Sequence, residues 1–330
     1  MSSQCTVYAG TAGQGVWRSQ DGGETFQRRC SGMFMEAIVR ALAVAPSDPA
    51  TLYAGTDAGI YRTTDGGGRW ERLPAPFDPG NGWPAGVAVW SILVHPADQS
   101  LIFAGTCPAA LYRSSDAGAA WARLDAAISP DCPPIVYSRV TCIRADPWRP
   151  EAIWAGVEID GAWRSDDRGE SWRRVSQGLS SMDIHDLAFL SRQPGGILAS
   201  TNNDLNVSHD DGATWQPQRV KERFPFAYCR GLAVKADDPA TILLGNGNGP
   251  PGTAGALQIS RDGGATWRQA GLAPPPNSTV WTIATHAALP SLLFAATVNG
   301  YLYRSEDGGA IWRKCAHEFG ELRALALVTA

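Results

Sequence analysis

The sequence predicts an all-β protein, a single seven-bladed β-propeller of four-stranded antiparallel blades covering residues 1–330. Three observations carry that expectation. One short motif recurs seven times at nearly even spacing, four β-type runs surround each copy, and the last run of the chain supplies the strand that the first copy lacks. Four strands in a period of ~40 to 50 residues is the mark of a propeller blade, so seven copies give seven blades.

The motif reads Ser/Thr-x-Asp-x-Gly-x-x-Trp/Phe and occurs at Ser19–Phe26, Thr63–Trp70, Ser114–Trp121, Ser165–Trp172, Ser208–Trp215, Ser260–Trp267 and Ser305–Trp312. Its aspartates stand at 21, 65, 116, 167, 210, 262 and 307, in steps of 44, 51, 51, 43, 52 and 45. Steps that vary around a fixed motif describe a constant unit joined by loops of unequal length. Upstream of the second copy lie two β-type runs, Leu52–Thr56 and Ile60–Thr63; downstream comes Trp70–Leu73. Val39–Val44 supplies the first strand of that unit. The chain opens directly in a second strand, Thr6–Thr11, and finishes with Glu321–Val328, which has the first-strand pattern. The C-terminal strand is therefore expected to complete the N-terminal blade and close the ring, which removes two exposed sheet edges.

Within the motif each residue type has a structural task. The Asp carboxylate accepts from backbone donors in the turn between strands three and four, Gly takes a positive φ, and the aromatic packs between blades.

Composition excludes several classes of function. Lys and Arg number 28 against 32 Asp and Glu, and only three of the 28 are lysines, so no basic face is expected for nucleic acid or anionic lipid. No apolar window approaches the ~18 residues of a membrane span. The opening residues have neither a basic start nor a long apolar core, and the expected location is cytoplasmic. Seven scattered cysteines without a Cys-x-x-Cys pair signal neither a disulfide framework nor a zinc site of that kind.

These motifs resemble the BNR or Asp-box repeat, shared by sialidases, xyloglucanase-type glycoside hydrolases, sortilin-type receptors and photosystem II assembly factors. The resemblance covers the whole chain and implies the propeller fold. It also separates this sequence from the enzymes. Sialidases have six blades and open with an Arg-Ile-Pro-type motif, where this chain has Val39-Arg40-Ala41. Xyloglucanase-type enzymes carry two propellers with the active site in the cleft between them. The assembly factors match in size and blade count.

In a propeller the loops leading into first strands and those joining strands two and three share one face, opposite the motif turns. Alignment of the seven first strands puts Arg323, Arg40, Trp90, Thr141, His185, Arg230 and Trp281 at one equivalent position. The second-to-third loops contribute Asp57, Cys107, Glu158 with Asp160, Asn202-Asn203-Asp204, Asn246 with Asn248, and Asn299. Arginines beside tryptophans suit an anion, with bidentate donors and stacking surface. The expectation is that Arg40, Arg230 and Arg323 bind the anion, Trp90 and Trp281 stack on the ligand, and Asn202 and Asn246 add polar contacts. His185, with Glu158 or Asp57, is the candidate for proton transfer. The alternative is a wet channel whose charged residues only pair with one another.

The amide- and carboxylate-rich ring also resembles the central calcium site of paraoxonase-like propellers, so a calcium ion is one candidate cofactor although no spacing demonstrates a metal. Three long loops are expected to cover this face: Pro74–Gly86 with Phe77 and Trp83, Ile128–Pro134, and Val220–Tyr228 with Phe224 and Phe226. Two functions stay open: a propeller that binds, or also transforms, a small anionic or carbohydrate-like ligand, and a non-catalytic scaffold holding a protein partner. An enzyme of this design would be a hydrolase or lyase and not a true sialidase. A narrow pocket with a buried His185 favours the ligand; a broad open face favours the scaffold.

Overall fold

The structure, a computed structural model, describes residues 5–75, 87–133, 136–190, 194–235 and 237–329. Seven four-stranded antiparallel sheets stand around a central axis. The first blade joins both ends of the chain: β30 (Leu322–Thr329) pairs with β1 (Cys5–Thr11), followed outward by β2 (Gly15–Ser19) and β3 (Gln27–Arg28). The second runs outward as β4 (Val39–Ala45), β5 (Asp48–Thr56), β6 (Gly59–Thr63) and β7 (Glu71–Arg72). The remaining five repeat this order. Their innermost strands are β8 (Ala88–Val94), β14 (Val140–Ala145), β18 (Ile184–Phe189), β22 (Tyr228–Val234) and β26 (Val280–Ala284). Each innermost strand packs against the next, and the circle closes through β26, β30 and β4.

Apolar side chains are buried between blades, so the molecule has seven interblade cores and no single one. Tyr8 of the first blade meets Leu52, Tyr61 and Trp70 of the second; Phe103 of the third meets Ile143 and Trp163 of the fourth. The second-strand Ala-Gly-Thr pattern follows from this close approach. A Cβ on Gly55 would come 2.8 Å from Val89 Cγ1 of the next blade, and one on Gly105 would come 2.5 Å from Val140 Cγ1. Any larger residue there would push neighbouring blades apart.

The motif forms the turn between third and fourth strands in every blade. In the sixth, Ser260 Oγ donates to Asp262 Oδ1 at 2.8 Å, Gly264 N donates to Ser260 Oγ at 2.8 Å, and Thr266 N donates to Asp262 Oδ1 at 2.8 Å. Two motif tryptophans reach across to the preceding blade: Trp70 Nε1 donates to Arg29 O at 2.8 Å and Trp215 Nε1 to Val175 O at 2.7 Å.

Two loops differ from expectation. Between blades three and four the chain forms a small hairpin, β12 (Asp131–Cys132) with β13 (Val136–Tyr137). The Val220–Tyr228 loop begins with one 3-10 turn, Val220–Glu222, and tucks inward. Its Phe224 is buried edge-on against Trp267, ring centres 5.6 Å apart, so this side chain serves the core and not a cover. Phe77, Trp83 and Pro134 lie outside the described residues.

Candidate functional site

Every innermost strand carries a β-bulge near its leading end. Val39 pairs with Thr56 and Ala41 with Gly55, which leaves Arg40 without a partner in the ladder. The same interruption frees Trp90, Thr141, His185 and Trp281 in their strands. Arg323 is the extra residue of β30, and Arg230 with Gly231 that of β22. A bulge takes a residue out of the in–out alternation and re-aims its side chain. All seven residues border one cavity of about 220 Å³ in the central channel. Repeat alignment and structure thus single out the same seven positions, and the bulge is the physical reason they are equivalent.

Two arginine–tryptophan clusters occupy this ring. The Arg230 and Arg323 guanidinium carbons lie 3.8 and 4.6 Å from the ring centre of Trp281. Trp90 carries Arg40 at 4.3 Å and Arg139 at 4.5 Å. The rings of Trp90 and Trp281, expected as stacking surface for a ligand, each carry two of the protein's own guanidiniums. A second cavity, about 320 Å³, opens toward the loops between Arg40, Arg139 and Arg323, beneath Pro250 and Pro251 of the β23 (Ile242–Gly247) to β24 (Gly255–Ser260) loop.

The ring is electrostatically uneven. Arg139 pairs with Glu158 at 3.0 Å and Arg323 with Glu321, whereas among the described residues no ion pair reaches Arg40 or Arg230. Burial holds Arg40 below the ordinary arginine value, with Asp57 opposing and Arg139 adding to the effect. Arg323 is pushed down to about 9, first by burial and then by Arg40, Arg230 and Arg139. A guanidinium does not surrender its proton at pH values a fold survives, so this crowding amounts to a field that favours an anion.

Of the proton-transfer candidates, the structure brings Glu158 and His185 together and keeps Asp57 away. Asp57 Oδ1 accepts from Ile38 N at 2.9 Å and anchors the chain leading into β4. His185 meets Asp183 instead, Nε2 to Oδ1 at 3.4 Å, while its Nδ1 lies 2.6 Å from Cys229 O. Asn202 sits exposed on its turn, and Asn246 is buried with Nδ2 donating to Phe226 O at 2.8 Å. Neither lines the two channel cavities described above. In the loop ring proposed for calcium, Asp204 spends its oxygens on the amides of Leu205, Arg219 and Val220.

Arg139, Asp183 and the deeper Arg144–Asp186 pair were absent from the sequence-based set. Arg139 and Asp183 precede their strands by one residue, outside the aligned segment. The available signal was nearness in the chain, Asp183 standing two residues before His185.

Residues 14–133 match the family model described as Sortilin, neurotensin receptor 3. A xyloglucanase of Paenibacillus sp. is 28% identical over 301 residues, 84% of this chain and 26% of that enzyme. The chain spans about a quarter of the length of that relative. Among solved structures, the GH74 xyloglucanase from Xanthomonas campestris has a TM-score of 0.65 at 21% identity, covering 84% of this chain and 45% of the other. The structure of YCF48 bound to D1 peptide has a TM-score of 0.62 at 18% identity, covering 93% and 91%. These likenesses show the fold, a seven-bladed propeller. The propeller is similar in sequence to xyloglucanases and similar in fold, over 93% of its length, to YCF48.

Proposed function

We propose that this propeller binds a small anionic, carbohydrate-like ligand at the mouth of its central channel. The carrying observation is the pair of arginines, Arg40 and Arg230, held against tryptophan rings with no ion-pair partner among the described residues and crowded by Arg139 and Arg323. Acidic sugars and related hydroxy acids suit this site. Bidentate guanidiniums match a carboxylate, and cavities of about 220 and 320 Å³ suit one ring or less, at the small end of ligand pockets. The xyloglucanase relatives support the carbohydrate part of the reading, and the inward-facing, buried His185 supports a pocket over a broad docking face.

A second reading is a scaffold that holds a protein partner on the same face, favoured by the full-ring likeness to YCF48 in its peptide complex. A thermal-shift screen separates the two. Glucuronate or galacturonate at 100 times the dissociation constant contributes ~2.7 kcal/mol and a clear rise in melting temperature, while glucose leaves it unchanged. A response to acidic peptides alone would give the scaffold reading the lead.

A further inference from the structure

The His185 side chain is 1% exposed and its two ring nitrogens have unlike surroundings. Nδ1 faces the Cys229 carbonyl, a pure acceptor, and therefore carries the ring proton. Nε2 is then a lone pair. It points at Asp183 Oδ1, which is another acceptor and receives no hydrogen bond of its own. Glu158 Oε2 likewise accepts no hydrogen bond, although Arg139 stands 3.0 Å away in an ion pair. One donor atom from each of Glu158, Asp183 and His185 lies within 4.8 Å of the others. With the ring proton on Nδ1, three lone pairs thus converge on one place.

We propose that Glu158, Asp183 and His185 bind one divalent transition-metal ion of the zinc class. Metal–ligand bonds of about 2.0 to 2.4 Å allow donor atoms up to about 4.0 to 4.8 Å apart, which this cluster satisfies. One imidazole with two carboxylates favours zinc, manganese or iron over calcium, which prefers an all-oxygen shell. The Nδ1–H to carbonyl bond is the outer contact that fixes the tautomer of a metal-bound histidine. Three protein donors leave at least one position open. Because His185 borders the channel cavity, that position faces the channel, with Arg139 and Arg230 beside it. The inference stands apart from the anion reading, and its test uses no anion.

The experiment titrates metal-free protein with Zn²⁺ alone by calorimetry and with Co²⁺ alone by visible absorption. Expected are one ion per chain, a cobalt spectrum without a thiolate charge-transfer band, and a tenfold or greater loss of affinity in both His185→Ala and Asp183→Asn. Cys30→Ser, which removes the one partly exposed thiol, is expected to bind as the parent does. Should a ligand variant fail to fold, the stoichiometry and spectrum of the parent protein still decide. No stoichiometric uptake by the folded parent, a thiolate band, unchanged affinity in both ligand variants, or preference for Ca²⁺ over Zn²⁺ would each overturn the proposal.

Discussion

A guanidinium laid on an indole keeps its N–H donors at the edge, free to grip an oxyanion through two parallel bonds. Lysine has neither the plane nor the fork. Arg40→Lys or Arg230→Lys is therefore expected to weaken glucuronate binding tenfold or more, about 1.4 kcal/mol, measured by calorimetry. The ligand-free melting temperature should stay level or rise; a fall with unchanged affinity would assign these arginines a structural task. Arg323, the most crowded of the four, gives a second prediction. Arg323→Gln relieves repulsion from Arg40, Arg230 and Arg139, so the anion-free protein should melt higher and gain less when anion is added. Equal gains in parent and variant would remove Arg323 from the site. At this scale the ring positions were legible because seven copies of one strand could be aligned on each other. The partners of His185 were not, because Asp183 and Arg139 lie just outside the repeating template, and Asp57 shares a loop type with Glu158 but stands on a different blade.

The blade repeats two devices, a bulge facing the axis and a hydrogen-bonded turn facing the opposite way. In the turn, the Thr266 hydroxyl first, then the Thr266 amide and the Ser260 hydroxyl, hold Asp262 at about 2 instead of 3.8. Asp21 and Asp167 also stand at about 2, where burial pushes upward and the hydroxyl and amide bonds prevail. With folded values below the unfolded one, this contribution is complete above roughly pH 4 and is lost as pH falls through 2. The urea midpoint should decline steadily from pH 4 to 2, and Asp262→Asn should decline less steeply; identical slopes would deny the turn this role. Trp215 tests the packing half of the motif. It is 3% exposed and bonded across to Val175 O, so Trp215→Ala is expected to cost about 3 to 5 kcal/mol by denaturant unfolding and leave anion affinity of the folded fraction unchanged. The motif, its turn and its strands were readable because their chemistry is local. The β12–β13 hairpin was not, since it has no counterpart among the described residues of the other blades to be compared with.

The ring as a whole depends on a pairing between distant parts of the chain. Register runs from Cys5 opposite Thr329 to Thr11 opposite Leu322, and Leu327 and Leu322 fill the core between the last blade and the first. Removing residues 321–330 should expose that core and the edge of β1, giving a protein that melts lower and associates in size-exclusion chromatography. A truncated chain that remains a monomer with the parent melting temperature would refute the closure. Closure was legible because the strand inventory balanced, one missing at the start and one spare at the finish. The fate of Val220–Tyr228 was not, because whether an aromatic in a loop covers a face or enters a core depends on space that only the assembled blades define. The shared blade also sets an order of events during synthesis. At ~5 to 20 residues per second, β1 waits on the order of 15 to 60 s for β30, the strand that covers its inner edge. Of the seven blades, the one begun first is finished last, and for that interval a nascent chain carries a sticky edge that a chaperone, or the same edge on a neighbouring ribosome, can reach.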